Sequence, residues 1–188
     1  MSADTPATFA DKPTIVGPLV TLRPIVAGDA EAMWLSLADP ESIRLTGTHA
    51  EFTRPQIDEW AGSRSIVDDR LDLAVTDTAT GAWAGELAIN DWDEENQSCG
   101  FRISLDASFR NRGYGTEATR LIVDYAFAQL PIHRIGLEVF AFNPRAIASY
   151  KKVGFRREGV MRDALRWDGE FHDTIVMSVL RPEWSSNR

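Results

Sequence analysis

Cysteine is nearly absent from this chain. A single residue, Cys99, stands among 188 positions, so neither an intrachain disulfide nor a cysteine metal cluster is available. No His or Lys flanks it to activate the thiol as a nucleophile. Histidine is scarce too: His49, His133 and His172 lie far apart and lack ligand spacing, so no metal is expected. No apolar run approaches membrane-spanning length. The first 18 residues have neither the basic start nor the apolar centre of a signal peptide, which predicts a flexible leader over 1–17 and a cytoplasmic protein. Basic residues are outnumbered, with 20 Lys and Arg against 28 Asp and Glu and a net charge of -8. That balance argues against nucleic acid and anionic membranes as partners and is compatible with a cationic one.

What is present is ordinary globular material, 44% hydrophobic and 26% charged, at a length that predicts one domain over 18–184. Alternation predicts a strand over 20–25, and Gly28-Asp29 caps a helix over 30–37 that Asp39-Pro40 stops. A second helix is predicted from Pro55 through Ile57, Trp60 and Val67, while 44–54 shows no pattern. Residues 71–75, 83–89 and 98–105 read as an antiparallel meander, broken at Thr80-Gly81 and by an acidic loop at 90–96. A helix over 113–129 ends before Pro131 and leads into a strand at 134–140, which predicts a parallel crossover. A short helix over 144–153 and strands at 155–167 and 171–180, joined by an Asp168-Gly169 hairpin turn, complete the chain. The expected fold is α/β (α+β), with a mixed, mostly antiparallel seven-stranded sheet and helices on both faces.

Two stretches carry chemistry. Residues 100–116 read as a strand and loop ending in Arg110-Asn111-Arg112-Gly113-Tyr114-Gly115-Thr116 at the start of the long helix. Unpartnered N–H groups and the helix dipole make such a turn a place for a phosphate or pyrophosphate, and glycine lets a ligand lie against the backbone. It is no P-loop, since no Lys follows the glycines, and no dinucleotide fingerprint, since Ala118 stands where a third Gly belongs. A plain glycine turn with surface arginines remains open. The second stretch runs from Asn143-Pro144 through Ala146 and Tyr150 to Gly154-Phe155. Each residue has an ordinary reading: Asn143 as a helix N-cap before proline at N1, Tyr150 as core, Gly154 as a helix stop.

Together, in this order and spacing, Arg-x-x-Gly-x-Gly and Asn-x-x-Ala-x-x-x-Tyr-x-x-x-Gly-Phe resemble the GNAT superfamily of acyl-CoA-dependent N-acyltransferases. Leu22-Arg23-Pro24 with Asp29-Ala30, and Glu158-Gly159, Arg162, Gly169, Asp173 and Ser178, resemble the ribosomal-protein N-terminal acetyltransferase (RimJ/RimL-like) branch. The resemblance covers nearly all of the chain after Gly17. It implies acetyl-CoA as co-substrate, no metal, and a splay between the fourth and fifth strands that admits it. It implies coenzyme A contacts from Arg110, Asn111, Arg112, Gly113, Tyr114, Gly115, Thr116 and Asn143, with backbone N–H groups of Ile103 and Leu105 pairing with pantetheine. Tyr150 is then the general acid that protonates the departing thiolate, and relatives often form homodimers.

The resemblance further implies direct attack by an acceptor amine. A lysine-type amine with a pKa of about 10.4 is only about one part in a thousand neutral at pH 7, whereas an α-amine near 8 is far closer. A base or a shifted pKa is therefore required. Glu86, on the strand beside the cofactor strand, is the candidate general base, with a surface glutamate as its alternative. Asp91, Asp93, Glu94 and Glu95 form either a solvated loop or a collector for a cationic acceptor. Two functions stay open: an N-acetyltransferase for a protein N-terminus or a small-molecule amine (polyamine, antibiotic or amino acid), and a lapsed acyl-CoA-binding sensor or interaction domain. Retention of Tyr150 beside the complete loop favours the enzyme.

Overall fold

The structure is a computed structural model and describes residues 8–186. Strands β1 (Ile15–Val16) and β2 (Val20–Pro24) pair antiparallel, and Val20 and Leu22 turn inward at the spacing of two that a half-buried strand requires. Three helices follow: α1 (Ala30–Ser36), α2 (Pro40–Thr46) and α3 (Arg54–Ser63). The meander is β3 (Leu71–Asp77), β4 (Trp83–Asp93) and β5 (Ser98–Leu105). β3 is buried from Leu71 to Thr76, as a strand covered on both faces must be. Helix α4 (Tyr114–Gln129) connects β5 to the parallel strand β6 (Arg134–Phe140). Helix α5 (Pro144–Val153), the hairpin β7 (Arg156–Trp167) and β8 (Glu170–Leu180), and α6 (Arg181–Ser186) end the described chain.

The sheet order is β1-β2-β3-β4-β5-β6-β8-β7, antiparallel except at β5 and β6. On one face, Ala118, Ile122 and Ala126 of α4 pack on Leu22, Leu73 and Ile89. On the other, Ala30 and Met33 of α1 and Ile57 and Ala61 of α3 pack around Ile25 and Ala74. β5 and β6 pair only at Ser98 with Arg134, Cys99 with Ile135 and Gly100 with Gly136, and beyond that point they part. This is the expected splay, between the fifth and sixth strands once β1 is counted. Asp168 and Gly169 both have positive φ, 49° and 86°, the geometry a two-residue hairpin turn demands.

Three expectations change. The first seven residues of the expected leader lie outside the described residues; the remainder packs, with Phe9 buried against Trp92 and Ile15–Val16 adding an eighth strand. Asp39-Pro40 opens a helix rather than only ending one: the Asp39 carboxylate accepts from Glu41 N and Ser42 N, and Pro40 occupies N1. The patternless stretch at 44–54 is thus partly the end of α2. The acidic segment belongs largely to β4, with a turn only over 94–97.

Charged pairs lock the elements. Arg23 grips Asp29 with both terminal nitrogens, at 2.8 and 2.6 Å, and Asp29 also accepts from Val26 N, so β2 and the entry to α1 are fixed together. Across β8, Arg134 of β6 makes a two-pronged pair with Glu158 of β7, which also accepts from the Ser178 hydroxyl at 2.7 Å. β7 is the outer strand, and its register with β8 breaks between Arg157 and Gly159 and again between Met161 and Leu165. The Arg134 guanidinium holds the Glu158 carboxyl down to about 2. Because this folded value lies below the unfolded one, the stabilisation is present above a pH of about 4.3 and is lost as pH falls towards 2. The pair is partly exposed, so its worth is at most about 1 kcal/mol. Glu158→Gln should lower the melting temperature at pH 7 by about 2–4 °C, and the difference should close on acidification, as thermal melts from pH 7 to 2.5 would show.

Candidate active site

The parting of β5 and β6 opens a cavity of about 760 Å³ whose lining comes from both layers of the protein. Asp106 N–H donates to Ala84 O at 2.9 Å, which fixes the phase of the β4–β5 ladder. By the alternation of an antiparallel pair, Ser104 and Arg102 bond towards β4, while the N–H and C=O of Leu105, Ile103 and Phe101 turn towards the gap. The backbone donors expected of Ile103 and Leu105 therefore face the cavity.

At one part of the lining lies the glycine turn. Gly113 is the N-cap of the 16-residue α4 with φ 89°, and a Cβ there would also sit 3.3 Å from Leu19. The first helical hydrogen bond is Glu117 N–H to Gly113 O, which leaves the N–H groups of Tyr114, Gly115 and Thr116 outside the helical ladder. Asn111, Gly113, Gly115, Thr116 and Asn143 line the cavity here. Asn143 is also the N-cap of α5, its Oδ1 accepting from Ala146 N at 3.1 Å, which leaves the side-chain NH₂ to face a ligand. The cradle of bare glycines and free N–H groups fits a pyrophosphate.

The side chains of this turn are used differently from the expectation. Arg110 is no free cation: it bonds Leu105 O, Asp39, Glu41 and Ser42, and so ties the turn to α2. Arg112 stacks over Phe109 and Tyr114, and the buried Tyr114 ring sends its hydroxyl to Asp77, so neither side chain lines the cavity. At Arg112 and Tyr114 the backbone, not the side chain, is placed to serve a phosphate, while the Arg110 side chain borders the cavity from within its ion pairs. Arg145, two residues beyond the α5 cap, reaches Asn111 at 3.4 Å, is paired like Arg110 with Glu41, at 2.7 Å, and borders the cavity; sequence reasoning missed it. Its place in the Asn143-Pro144-Arg145 segment was the available signal.

Tyr150 and Glu86 line the same cavity. Tyr150 is buried edge-on to Phe101 and beside Phe155, and burial pushes its hydroxyl up to about 12. Glu86 faces the helical layer of α1 and α3. Its carboxyl is pushed up by burial, which outweighs the pull of Arg102, Arg70 and Arg64, while Asp72 adds to the rise. Glu86 Oε2 and Trp83 Nε1 are shielded from solvent and have no hydrogen-bond partner among the described residues. Arg102, Trp60, Trp83 and Asp72 also line this part, and sequence alone did not single them out. Asp91, Asp93, Glu94 and Glu95 do not line the cavity; Asp93 caps its own turn through Asn96. Cys99 is buried with its thiol pushed up to about 12, so it holds its proton.

A family model described as an acetyltransferase (GNAT) domain matches residues 20–156. The chain belongs to the GNAT acetyltransferase family. Its members use acetyl-CoA, and by family this chain is an acetyl-CoA-dependent acetyltransferase. Among relatives, YdaF of Bacillus subtilis, whose name carries a provisional ribosomal N-acetyltransferase assignment, is 28% identical over 108 residues, 57% of this chain and 59% of that protein. Spermidine N(1)-acetyltransferase of Escherichia coli is 26% identical over 118 residues, 63% of each chain. The chain thus aligns with about three fifths of the length of these two relatives. The crystal structure of spermidine N-acetyltransferase from Vibrio cholerae in complex with CoA and spermine superposes with a TM-score of 0.82 at 20% identity, covering 90% of this chain and 99% of that one. That likeness establishes the shared fold.

Gly113→Val places a branched side chain on a positive φ and should weaken CoA binding at least 10-fold in titration calorimetry, with a melting curve to separate this from unfolding. Glu86 has a folded pKa above its unfolded value, so the neutral form favours the fold at low pH and that contribution is lost as pH rises through the raised pKa. Glu86→Gln should therefore raise the melting temperature at pH 8, with the gain shrinking towards pH 4.

Proposed function

We propose that this protein transfers an acetyl group from acetyl-CoA to a primary amine by direct attack in a ternary complex. The observation that carries this reading is the joint presence of Glu86 and Tyr150 in one cavity, beneath the unpaired backbone of β5. Ile103 and Leu105 N–H groups would hold the pantetheine arm and polarise the thioester carbonyl. The N–H groups of the Gly113 turn, with Arg145 beside them, would hold the pyrophosphate, and the Asn143 amide would contact pantetheine.

Glu86 receives a proton from the attacking amine, directly or through water. Its raised pKa makes it a stronger base than an exposed carboxylate, better matched to an ammonium. The new N–C bond forms as the C–S bond breaks, and the Tyr150 hydroxyl gives its proton to the departing thiolate. A pKa near 12 keeps that hydroxyl protonated at neutral pH, as a general acid requires. No covalent enzyme intermediate is needed, and the protonated Cys99 does not take part.

The names of relatives support an amine acceptor, spermidine in one case and a ribosomal protein in another, and the RimJ/RimL-like resemblance supports the second kind. The test is turnover followed by release of free thiol. Tyr150→Phe should lower kcat about 10- to 100-fold while CoA affinity is kept; unchanged turnover would leave Tyr150 a core residue. Since only ionised Glu86 accepts a proton, kcat/KM should rise with pH through its raised pKa. Glu86→Gln should lower the rate and abolish that acid limb.

A further inference from the structure

We infer that the amine acceptor carries a carboxylate beside its amino group and an apolar side chain: a hydrophobic α-amino acid, held by Arg102 and Trp83. The inference rests on the acetyl-transfer reading above and names the substrate class of the same site. Arg102 lines the cavity, and its guanidinium makes neither a hydrogen bond nor an ion pair with any described residue. It lies diagonally across the β4–β5 pair from Glu86, because Glu86 faces Ser104 and Ala88 faces Arg102. The backbones of Arg102 and Glu86 stand about 7–8 Å apart on one face of the sheet, and the Arg102 charge acts directly on the Glu86 carboxyl. An α-amino acid, whose amine and carboxylate flank a single carbon, can present its amine to the one side chain and its carboxylate to the other. Trp83 and Glu86 line the same cavity; the Glu86 carboxylate is the acceptor for the amine, and the Trp83 N–H, which is shielded from solvent and without a partner among the described residues, becomes a second donor for the carboxylate once a side chain at the wall shifts.

The surrounding charge argues against a polyamine. Arg102, Arg70 and Arg64 surround Glu86, while Asp72 is already gripped by Arg70 at 2.7 Å through each oxygen. A polyamine at neutral pH offers cationic donors alone, which repel the arginines and leave the Trp83 N–H without an acceptor. Met33, Leu37, Phe52, Ile57 and Trp60 add apolar surface to the wall, beside the polar Ser36, Thr46, Thr48 and Gln56, and Glu138 of β6 also borders the cavity. Pairing the substrate carboxylate with Arg102 also removes the anion that would otherwise hold the neighbouring ammonium protonated, so recognition and deprotonation act in the same direction.

The test compares phenylalanine, phenylalaninamide, glycine and spermidine as acceptors in thiol release, alongside calorimetric titration of phenylalanine into CoA-saturated protein. Phenylalanine should exceed glycine and spermidine in kcat/KM at least 10-fold. In Arg102→Gln the ratio of kcat/KM for phenylalanine over phenylalaninamide should fall about 10- to 100-fold. Trp83→Phe, which keeps the ring and deletes the N–H, should raise KM for phenylalanine about 3- to 10-fold. Preference for spermidine, or a ratio that Arg102→Gln leaves unmoved, would overturn the inference and leave acetyl transfer standing. Phenylalanine that binds through Arg102 without thiol release would overturn acetyl transfer and keep the recognition site. Absence of both binding and turnover of phenylalanine would overturn the inference.

Discussion

Three residue pairs hold β5 beside β6, and after Gly100 and Gly136 the two strands separate. Everything distinctive in the molecule follows from that parting. A strand deprived of its neighbour presents a row of N–H and C=O groups that the protein interior cannot leave unmet without cost. The gap also joins the two layers that a closed sheet would keep apart. Tyr150, packed with Phe101 and Phe155 on the α4 side, and Glu86, facing the helices of the other side, thereby come to border one space.

The same space contains the least comfortable groups in the fold. Among the described residues, one oxygen of the buried Glu86 and the Trp83 N–H have no hydrogen-bond partner. An apolar core would have been more stable here; sites that act on a ligand tend to store such conflict. The conflict is local. A few residues away, Asp72, Arg70 and Arg64 form a satisfied cluster, and Arg23 with Asp29 fastens the first helix to the sheet. Strain at the cavity is set within a frame of well-paired charges.

Much of this was legible in the sequence, because the signals were local. The strands declared themselves by alternation, α4 by its apolar stripe, and Gly113 by a conformation only glycine adopts easily. Where reading from residues fell short, the deciding partner lay far along the chain. Asp39-Pro40 both ends one helix and caps the next, and the Asp39 carboxylate that caps it is also held by the distant Arg110. Arg110 beside two glycines suggests a phosphate ligand, yet Asp39 and Glu41, some seventy positions earlier, claim it. The pairing of β4 with β5, which sets Arg102 near Glu86, is a matter of register and no single strand announces it. Glu158 and Ser178, which sequence reading noted only as part of a resemblance, turn out to bond each other and lock β7 to β8.

The ends of the sheet set a limit on how two copies of this chain could meet. At one end β1 is two residues long. At the other β7 is long, but its two register breaks bend it and it carries Arg156, Arg157, Glu158, Arg162, Asp163 and Arg166 along its length. Neither edge is a straight, uncharged template for a ninth strand from another molecule, and features of this kind guard against fibrous growth. A dimer of this protein would therefore have to be cemented by side chains of helices and loops, and its affinity should answer to substitutions there rather than to backbone pairing.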